Sequence, residues 1–244
     1  MLSRFFGRDE LPGEASIETY DLSIEEAKAR ASGVPIEDIF FANRGRAVCK
    51  WIDYLPVYDR HLSPYRGTDV KLLEIGVNRG GSLQMWREYL GANAVVYGID
   101  IDPECVRFVD PPNEIRIGSQ DDPEFLASVI SDMGSPDVIL DDGSHRAQHQ
   151  IASFNCLWPK LNLGGLYMIE DTHTAYWRRY GGGYRRPRTA IGLAKNLIDD
   201  MHGWWHNEKQ AYVSKEEIRS ISIYESIFVI EKNIKLRPGH VTVE

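Results

Sequence analysis

The 244-residue sequence has only three cysteines, Cys49, Cys105 and Cys156, which lie far apart and form no CxxC pair. An odd number of isolated cysteines argues against a disulfide scaffold and favours a reducing compartment. The sequence also lacks an apolar run long enough to cross a membrane, and its start has neither an apolar signal core nor a cleavage site. We therefore expect a cytoplasmic protein with no membrane partner.

The sequence is also poor in basic residues. The 28 lysines and arginines are outnumbered by 36 acidic residues, which gives a formal net charge of −8 and a pI near 5.4. An acidic chain of this kind disfavours nucleic acids and anionic membrane surfaces as partners. The arginines that do cluster lie among glycines and tyrosines at 178–188, not on a helical face.

From residue 70 onward, short apolar runs alternate with helical stretches. Strands are predicted at 70–75, 95–100, 115–117, 138–140 and 166–169, and helices at 82–90, 125–133 and 148–161. Repeated strand–helix–strand units of this length predict an α/β fold, a Rossmann-like parallel sheet with helices on both faces. Two later β-rich runs, 218–224 and 226–231, leave no room for a crossover helix, so the last strand should be antiparallel.

The first part of the chain does not follow this pattern. We predict two parts: residues 1–68 as an N-terminal helical extension, serving as a lid or a subunit interface, and 69–244 as the sheet domain. Ser23 has the chemistry of a helix N-cap. An aromatic-rich helix is predicted at 46–58, ending near Pro56. The glycine-rich segment around residues 181–188 is predicted to be a mobile lid.

A glycine-rich turn follows the first predicted strand, in the run EIGVNRGGS at 74–82. Gly76 and Gly80 would let backbone amides approach a ligand closely, although a purely structural turn explains them about as well. A dinucleotide-binding GxGxxG would need glycine in place of Asn78. Asp100 ends the second strand about 24 residues after Gly76, where such folds bind ribose hydroxyls.

Further signals follow in a fixed order. Ser119 and Gln120 come after the third strand and could contact an adenine edge, with an ordinary turn as the alternative, and Asp141 ends the fourth strand. With these signals, the chain from about residue 70 to its end resembles the class I S-adenosylmethionine-dependent methyltransferases, whose seven-stranded sheet has an antiparallel last strand. The resemblance implies S-adenosylmethionine as cofactor. By it, the cofactor-binding residues are Glu74, Gly76, Gly80, Ser82, Asp100, Ser119, Gln120 and Asp141, the last of which could instead belong to strand-end structure.

Two acidic clusters stand at the ends of predicted strands four and five, in the runs DDGSH at 141–145 and EDTH at 170–173. Loops at the carboxyl ends of parallel strands meet at one edge of the sheet, and converging carboxylates repel one another unless a cation lies between them. Asp142, Glu170 and Asp171 offer the hard oxygen ligands that suit Mg²⁺, and His145 could act as a base. Each run taken alone could be a polar turn or a helix cap.

The two clusters together resemble the macrocin O-methyltransferase family, Mg²⁺-dependent enzymes that methylate sugar hydroxyls on macrolide antibiotics. The resemblance implies that Asp142, Glu170 and Asp171 bind the metal and that His145 is the catalytic base. The expected acceptor is a sugar hydroxyl on a small-molecule glycoside or a polysaccharide. A catechol or phenolic O-methyltransferase and a non-catalytic cofactor-binding scaffold are the alternatives. A homo-oligomer formed through the N-terminal region is also possible.

Overall fold

Seven strands form one mixed sheet in the computed structural model, which describes residues 21–243. The strands are β1 (Lys71–Ile75), β2 (Val95–Asp100), β3 (Glu114–Ile117), β4 (Val138–Asp141), β5 (Leu166–Ile169), β6 (Ile218–Tyr224) and β7 (Ile227–Lys232). Their order is β3-β2-β1-β4-β5-β7-β6. The first five strands are parallel, and β7 runs antiparallel to both β5 and β6. The predicted Rossmann-like sheet with an antiparallel last strand is therefore confirmed.

Strands β4 and β5 lie in the middle of the sheet and are buried along their whole length. Helices cover both faces there, which explains why these strands are continuous apolar runs without alternation. Asp141 is paired with Ile169, and Ile75 of β1 is paired with Asp141. Because the three strands end at the same level, the residues that follow them emerge side by side at one edge of the sheet.

The helices are α1 (Ile24–Ala29), α2 (Pro35–Ala42), α3 (Tyr54–Leu62), α4 (Gly81–Leu90), α5 (Pro123–Met133), α6 (Ala147–Leu157) and α7 (Ala190–Met201). Ser23 caps α1 through a capping box with Glu26, so the predicted N-cap is confirmed. The helix predicted at 46–58 is wrong, because helical structure begins only at Tyr54. Pro56 lies inside the first turn of α3, where its missing N–H is not needed. Helix α7 was not predicted, and no helix in the described part of the chain could span a bilayer.

Apolar side chains pack on both faces of the sheet. Helices α2, α3 and α4 cover one face, where Ile36, Tyr58 and Trp86 share a core with residues of β1 and β4. Helices α5, α6 and α7 cover the other face through residues such as Phe154 and Leu197. The described part of the predicted N-terminal extension thus contributes to the same core as the sheet, while residues 1–20 lie outside the described part. The division at residue 68 stays a prediction.

Residues 43–53, here called the strap, join α2 to α3 and cross the N-terminal end of α4. The Arg46 backbone N–H donates to Gln84 Oε1 of α4 at 3.0 Å, and Asn43 Nδ2 donates to the Arg46 carbonyl at 2.8 Å. A Cβ atom added to Gly81 would lie 2.2 Å from the Ala47 carbonyl oxygen. The strap therefore packs against α4 so closely that only glycine fits at the first position of the helix.

Replacing Gly81 by alanine tests this contact. Alanine is the better helix former by about 1 kcal/mol, so helix propensity alone predicts a more stable protein. Because the strap backbone blocks the new methyl group, we expect G81A to lower the free energy of unfolding by about 1–3 kcal/mol in urea denaturation. Exposed Ser128 of α5 provides the control, since S128A should change that free energy by less than about 0.5 kcal/mol. An unchanged or higher stability of G81A would contradict the contact.

Candidate active site

The glycine turn after β1 lies directly against the loop after β4. Gly76 has a φ of +89°, and a Cβ atom there would lie 2.3 Å from the Asp142 carbonyl oxygen. The Asp142 N–H donates to the Ile75 carbonyl at 2.9 Å. Gly80 has a φ of +72° and precedes the first residue of α4. Gly76 is therefore needed for both backbone conformation and space, and it fixes the position of Asp142.

Glu74 lies beneath this turn and is fully buried. Its carboxylate accepts hydrogen bonds from Ser82 Oγ at 2.7 Å and from Trp86 Nε1 at 3.1 Å. Burial raises the pKa of Glu74 to about 6, although nearby Lys50 and the two hydrogen bonds act in the opposite direction. Glu74 and Ser82, both predicted to bind the cofactor, are thus bonded to each other and connect β1 to α4.

Asp100 at the end of β2 holds the same turn from the other side. One carboxylate oxygen accepts from the backbone N–H groups of Val77 and Asn78, each at 3.0 Å, and the other accepts from the Asp102 N–H at 3.0 Å. The predicted ribose-binding carboxylate therefore lies at the glycine turn and shapes it. Its role toward a cofactor stays a prediction.

A buried polar network lies at the end of β4. Asp141 accepts from Gln120 Nε2 at 3.0 Å and from Ser153 Oγ at 2.7 Å, and burial raises the pKa of Asp141. Gln120 Oε1 accepts from the Ser144 N–H at 2.8 Å, while Ser119 bonds to a neighbouring aspartate in its own turn. Asp141 and Gln120 thus brace the loop that carries His145, which favours the strand-end alternative for Asp141.

Asp142, His145 and Asp171 come together at the edge of the sheet. One potential ligand atom from each lies within 4.8 Å of the others, and His145 Nε2 is 3.4 Å from Asp171 Oδ2. His145 and Asp171 have φ values of +56° and +51°, a left-handed conformation that costs non-glycine residues about 1–2 kcal/mol each. Such strain is typical of functional sites. The buried Nδ1 of His145 has no hydrogen-bond partner among the described residues.

Glu170 lies deeper than these three groups and points to different partners. Its side chain is 1% exposed, compared with 23% for Asp142. Tyr58 Oη donates to Glu170 Oε1 at 2.5 Å. Burial raises the pKa of Glu170, and the charge of Asp142 adds to this effect. The predicted set of three carboxylates therefore consists of two groups near the surface and one behind them.

Lys50 of the strap reaches these carboxylates, although no motif in the sequence marks it. Its Nζ lies 2.6 Å from Asp142 Oδ2, 3.0 Å from Glu170 Oε2 and 3.8 Å from Glu74 Oε1. The side chain is only 3% exposed. Burial alone would lower the pKa of Lys50, but the three carboxylates outweigh it and raise the pKa well above its usual value. A permanent ammonium ion therefore lies among the acidic groups.

Two further residues of this region contact Asp171. Trp51 Nε1 donates to Asp171 Oδ1 at 3.1 Å, and Tyr54 Oη donates to the same oxygen at 2.8 Å. The Trp51 ring is partly exposed and lies edge-on to His173, and the Tyr180 ring is 6.3 Å from the His145 ring. Aromatic groups thus border the acidic site. For Trp51 and Tyr54, the one signal in the sequence was the aromatic-rich stretch at 46–58.

The donor set fits a hard divalent cation. Asp142 and Asp171 come together with His145, and Glu170 lies behind them. Carboxylate oxygens suit Mg²⁺ better than Zn²⁺, which favours histidine and cysteine. Asp171 has a strained, left-handed backbone, and its carboxylate lies close to Asp142 and His145. The residues present could therefore hold such an ion.

Comparison with known proteins is consistent with this arrangement. Residues 73–172 match a family model described as a methyltransferase domain. Demethylmacrocin O-methyltransferase of Streptomyces fradiae is 31% identical over 93% of this chain and 62% of its own length. The 8-demethyl-8-alpha-L-rhamnosyl tetracenomycin-C 2'-O-methyltransferase of Streptomyces olivaceus is 33% identical over 77% of this chain and 51% of its own length.

Among solved structures, the MycE methyltransferase from the mycinamycin biosynthetic pathway, in complex with Mg, SAH and mycinamycin VI, has a TM-score of 0.72. It is 33% identical, and the alignment covers 82% of this chain and 53% of MycE. The chain thus spans about half the length of the relatives it matches. The sheet order is that of a Rossmann-like methyltransferase fold, residues 73–172 match a methyltransferase domain, and the chain is similar to sugar O-methyltransferases of antibiotic biosynthesis.

Proposed function

We propose that this protein is an S-adenosylmethionine- and Mg²⁺-dependent O-methyltransferase that methylates a sugar hydroxyl on a glycosylated natural product or a polysaccharide. The observation that carries the proposal is the convergence of Asp142, His145 and Asp171 beside the glycine turn. The rhamnosyl group in the name of the tetracenomycin-C 2'-O-methyltransferase supports the sugar acceptor, and the Mg and SAH bound to MycE support the metal and the cofactor.

The metal would be held by Asp142, Glu170 and Asp171. A bound Mg²⁺ would lower the pKa of an acceptor hydroxyl and fix its orientation. The protein prepares this site by holding Asp142 against Gly76 and by donating two hydrogen bonds to Asp171 from Trp51 and Tyr54. Those contacts leave the second oxygen of Asp171 facing His145.

The cofactor would lie across the glycine turn, and S-adenosylmethionine would supply an activated methyl group. Gly76 and Gly80 would leave room for it, and Asp100 would hold its ribose. Glu74 and Ser82 would support the turn from beneath, because their mutual hydrogen bond occupies them. Adenine contacts from Ser119 and Gln120 stay predictions, and Asp141 would act through the loop that it braces.

His145 would remove the proton of the acceptor hydroxyl. Its Nε2 lies beside Asp171, which favours the tautomer that carries the hydrogen on Nε2. Asp171 would in addition stabilise the imidazolium ion that forms when the proton is taken up.

The partner would be a small glycoside or saccharide bound beside the partly exposed Trp51 ring. The three cysteines are unpaired, which suits the reducing cytoplasm. The acidic charge disfavours a nucleic-acid acceptor. Oligomerisation through the N-terminal region stays a prediction.

Acceptor profiling with labelled S-adenosylmethionine and Mg²⁺ tests the substrate class. We expect methyl transfer to rhamnosylated or olivosylated aglycones and none to the free aglycones, because the reacting hydroxyl belongs to the sugar. EDTA should abolish the transfer, and added Mg²⁺ should restore it. Turnover of catechols without turnover of glycosides would instead favour the phenolic alternative, and full activity in EDTA would refute the metal site.

Replacing His145 by alanine tests the base. Loss of a positioned base typically costs about 10²- to 10⁴-fold, so we expect kcat of H145A to fall by that factor. Binding of S-adenosylhomocysteine, measured by calorimetry, should be retained because His145 is assigned to the acceptor side. The control is H202A at the exposed C-terminal end of α7, which should keep wild-type kcat. Wild-type kcat in H145A would rule out this role.

A further inference from the structure

The ammonium group of Lys50 lies between two of the three carboxylates assigned to the metal. It contacts Asp142 at 2.6 Å and Glu170 at 3.0 Å, and it is almost completely enclosed. We propose that Lys50 is an internal counter-ion that competes with the divalent metal for Asp142 and Glu170 and is displaced when the metal binds. This inference rests on the proposed metal site and adds a residue of the strap to it.

Competition follows from the contacts of the ammonium group. Nζ contacts one oxygen of Asp142 and both oxygens of Glu170, so a metal ion that bound both carboxylates would lie close to the space that Nζ occupies. Two cations cannot share that space because like charges in a poorly solvated site repel strongly. Lys50 and the metal therefore exclude one another at Asp142 and Glu170.

The need for such a counter-ion comes from burial. Glu170 and Glu74 are 1% and 0% exposed, and both lie within 4 Å of Nζ. A buried carboxylate without a compensating charge is costly, and removal of one partner of a buried pair leaves that cost unbalanced. Lys50 thus stabilises the metal-free protein, and the same contacts weaken metal binding.

Lysine suits this exchange better than a rigid cation would. Its flexible four-carbon side chain can leave the carboxylates while the strap backbone stays anchored to α4 through Arg46 and Gln84. The rings of Tyr58 and Trp86 lie 5.7 and 6.0 Å from Nζ and line the lysine side chain. The ammonium group can therefore be released without unfolding the strap.

The test compares Mn²⁺ binding, measured by electron paramagnetic resonance, in wild type, K50Q and D142N. Without the competing charge, K50Q should bind Mn²⁺ at least about tenfold more tightly than wild type. The matched control is K195Q, which removes the same charge from an exposed position on α7 and should leave the Mn²⁺ affinity unchanged.

A second measurement uses the wild-type protein and does not depend on the fold of K50Q. Mg²⁺ should increase acylation of Lys50 by an amine-reactive reagent several-fold, as read by peptide mass spectrometry, while exposed Lys195 serves as the reference. Unchanged labelling, or equal or weaker Mn²⁺ binding by K50Q, would overturn the role of Lys50 while leaving the metal site intact. If neither wild type nor K50Q binds Mn²⁺ in a way that D142N abolishes, both proposals fail.

Discussion

Everything at this site depends on keeping several carboxylates close together at one edge of a sheet. Strands β1, β4 and β5 are neighbours, so the acidic residues at their ends converge, and three of them, Glu74, Asp141 and Glu170, are buried. Like charges in such a place would drive the loops apart unless something compensates them. The ammonium group of Lys50, the hydroxyl of Tyr58 and the indole of Trp86 supply that compensation in the protein chain itself.

The compensating groups also explain why the glycine turn and the acidic loops form one unit. Gly76 packs against the backbone of Asp142, and Asp100 fixes the amides of the same turn. A movement of the turn would therefore shift the carboxylate beside it. The regions proposed for the cofactor and for the metal are therefore in direct backbone contact, through Gly76 with Asp142 and through the hydrogen bond from Asp142 to Ile75.

The sequence was most informative where local chemistry determines structure. Continuous apolar runs predicted the central strands, and their position in the chain placed the two acidic loops at one edge. The partners of those loops could not be predicted, because Lys50 and Trp51 lie about a hundred residues away from them in the chain and no spacing relates the two regions. The aromatic segment at 46–58 was predicted to be one helix, whereas its first half is not helical and contacts α4 through Arg46.

The strap limits which segments of this protein can be transferred into a chimera. The stretch that matches the family model, 73–172, contains the acidic loops but neither Lys50 nor Tyr58. A chimera that joined this stretch to a foreign N-terminal region would keep Glu170 buried without Lys50 and Tyr58. An uncompensated buried carboxylate of this kind destabilises a fold. The smallest segment of this protein that keeps these partners together therefore begins before the strap, upstream of the first strand of the sheet.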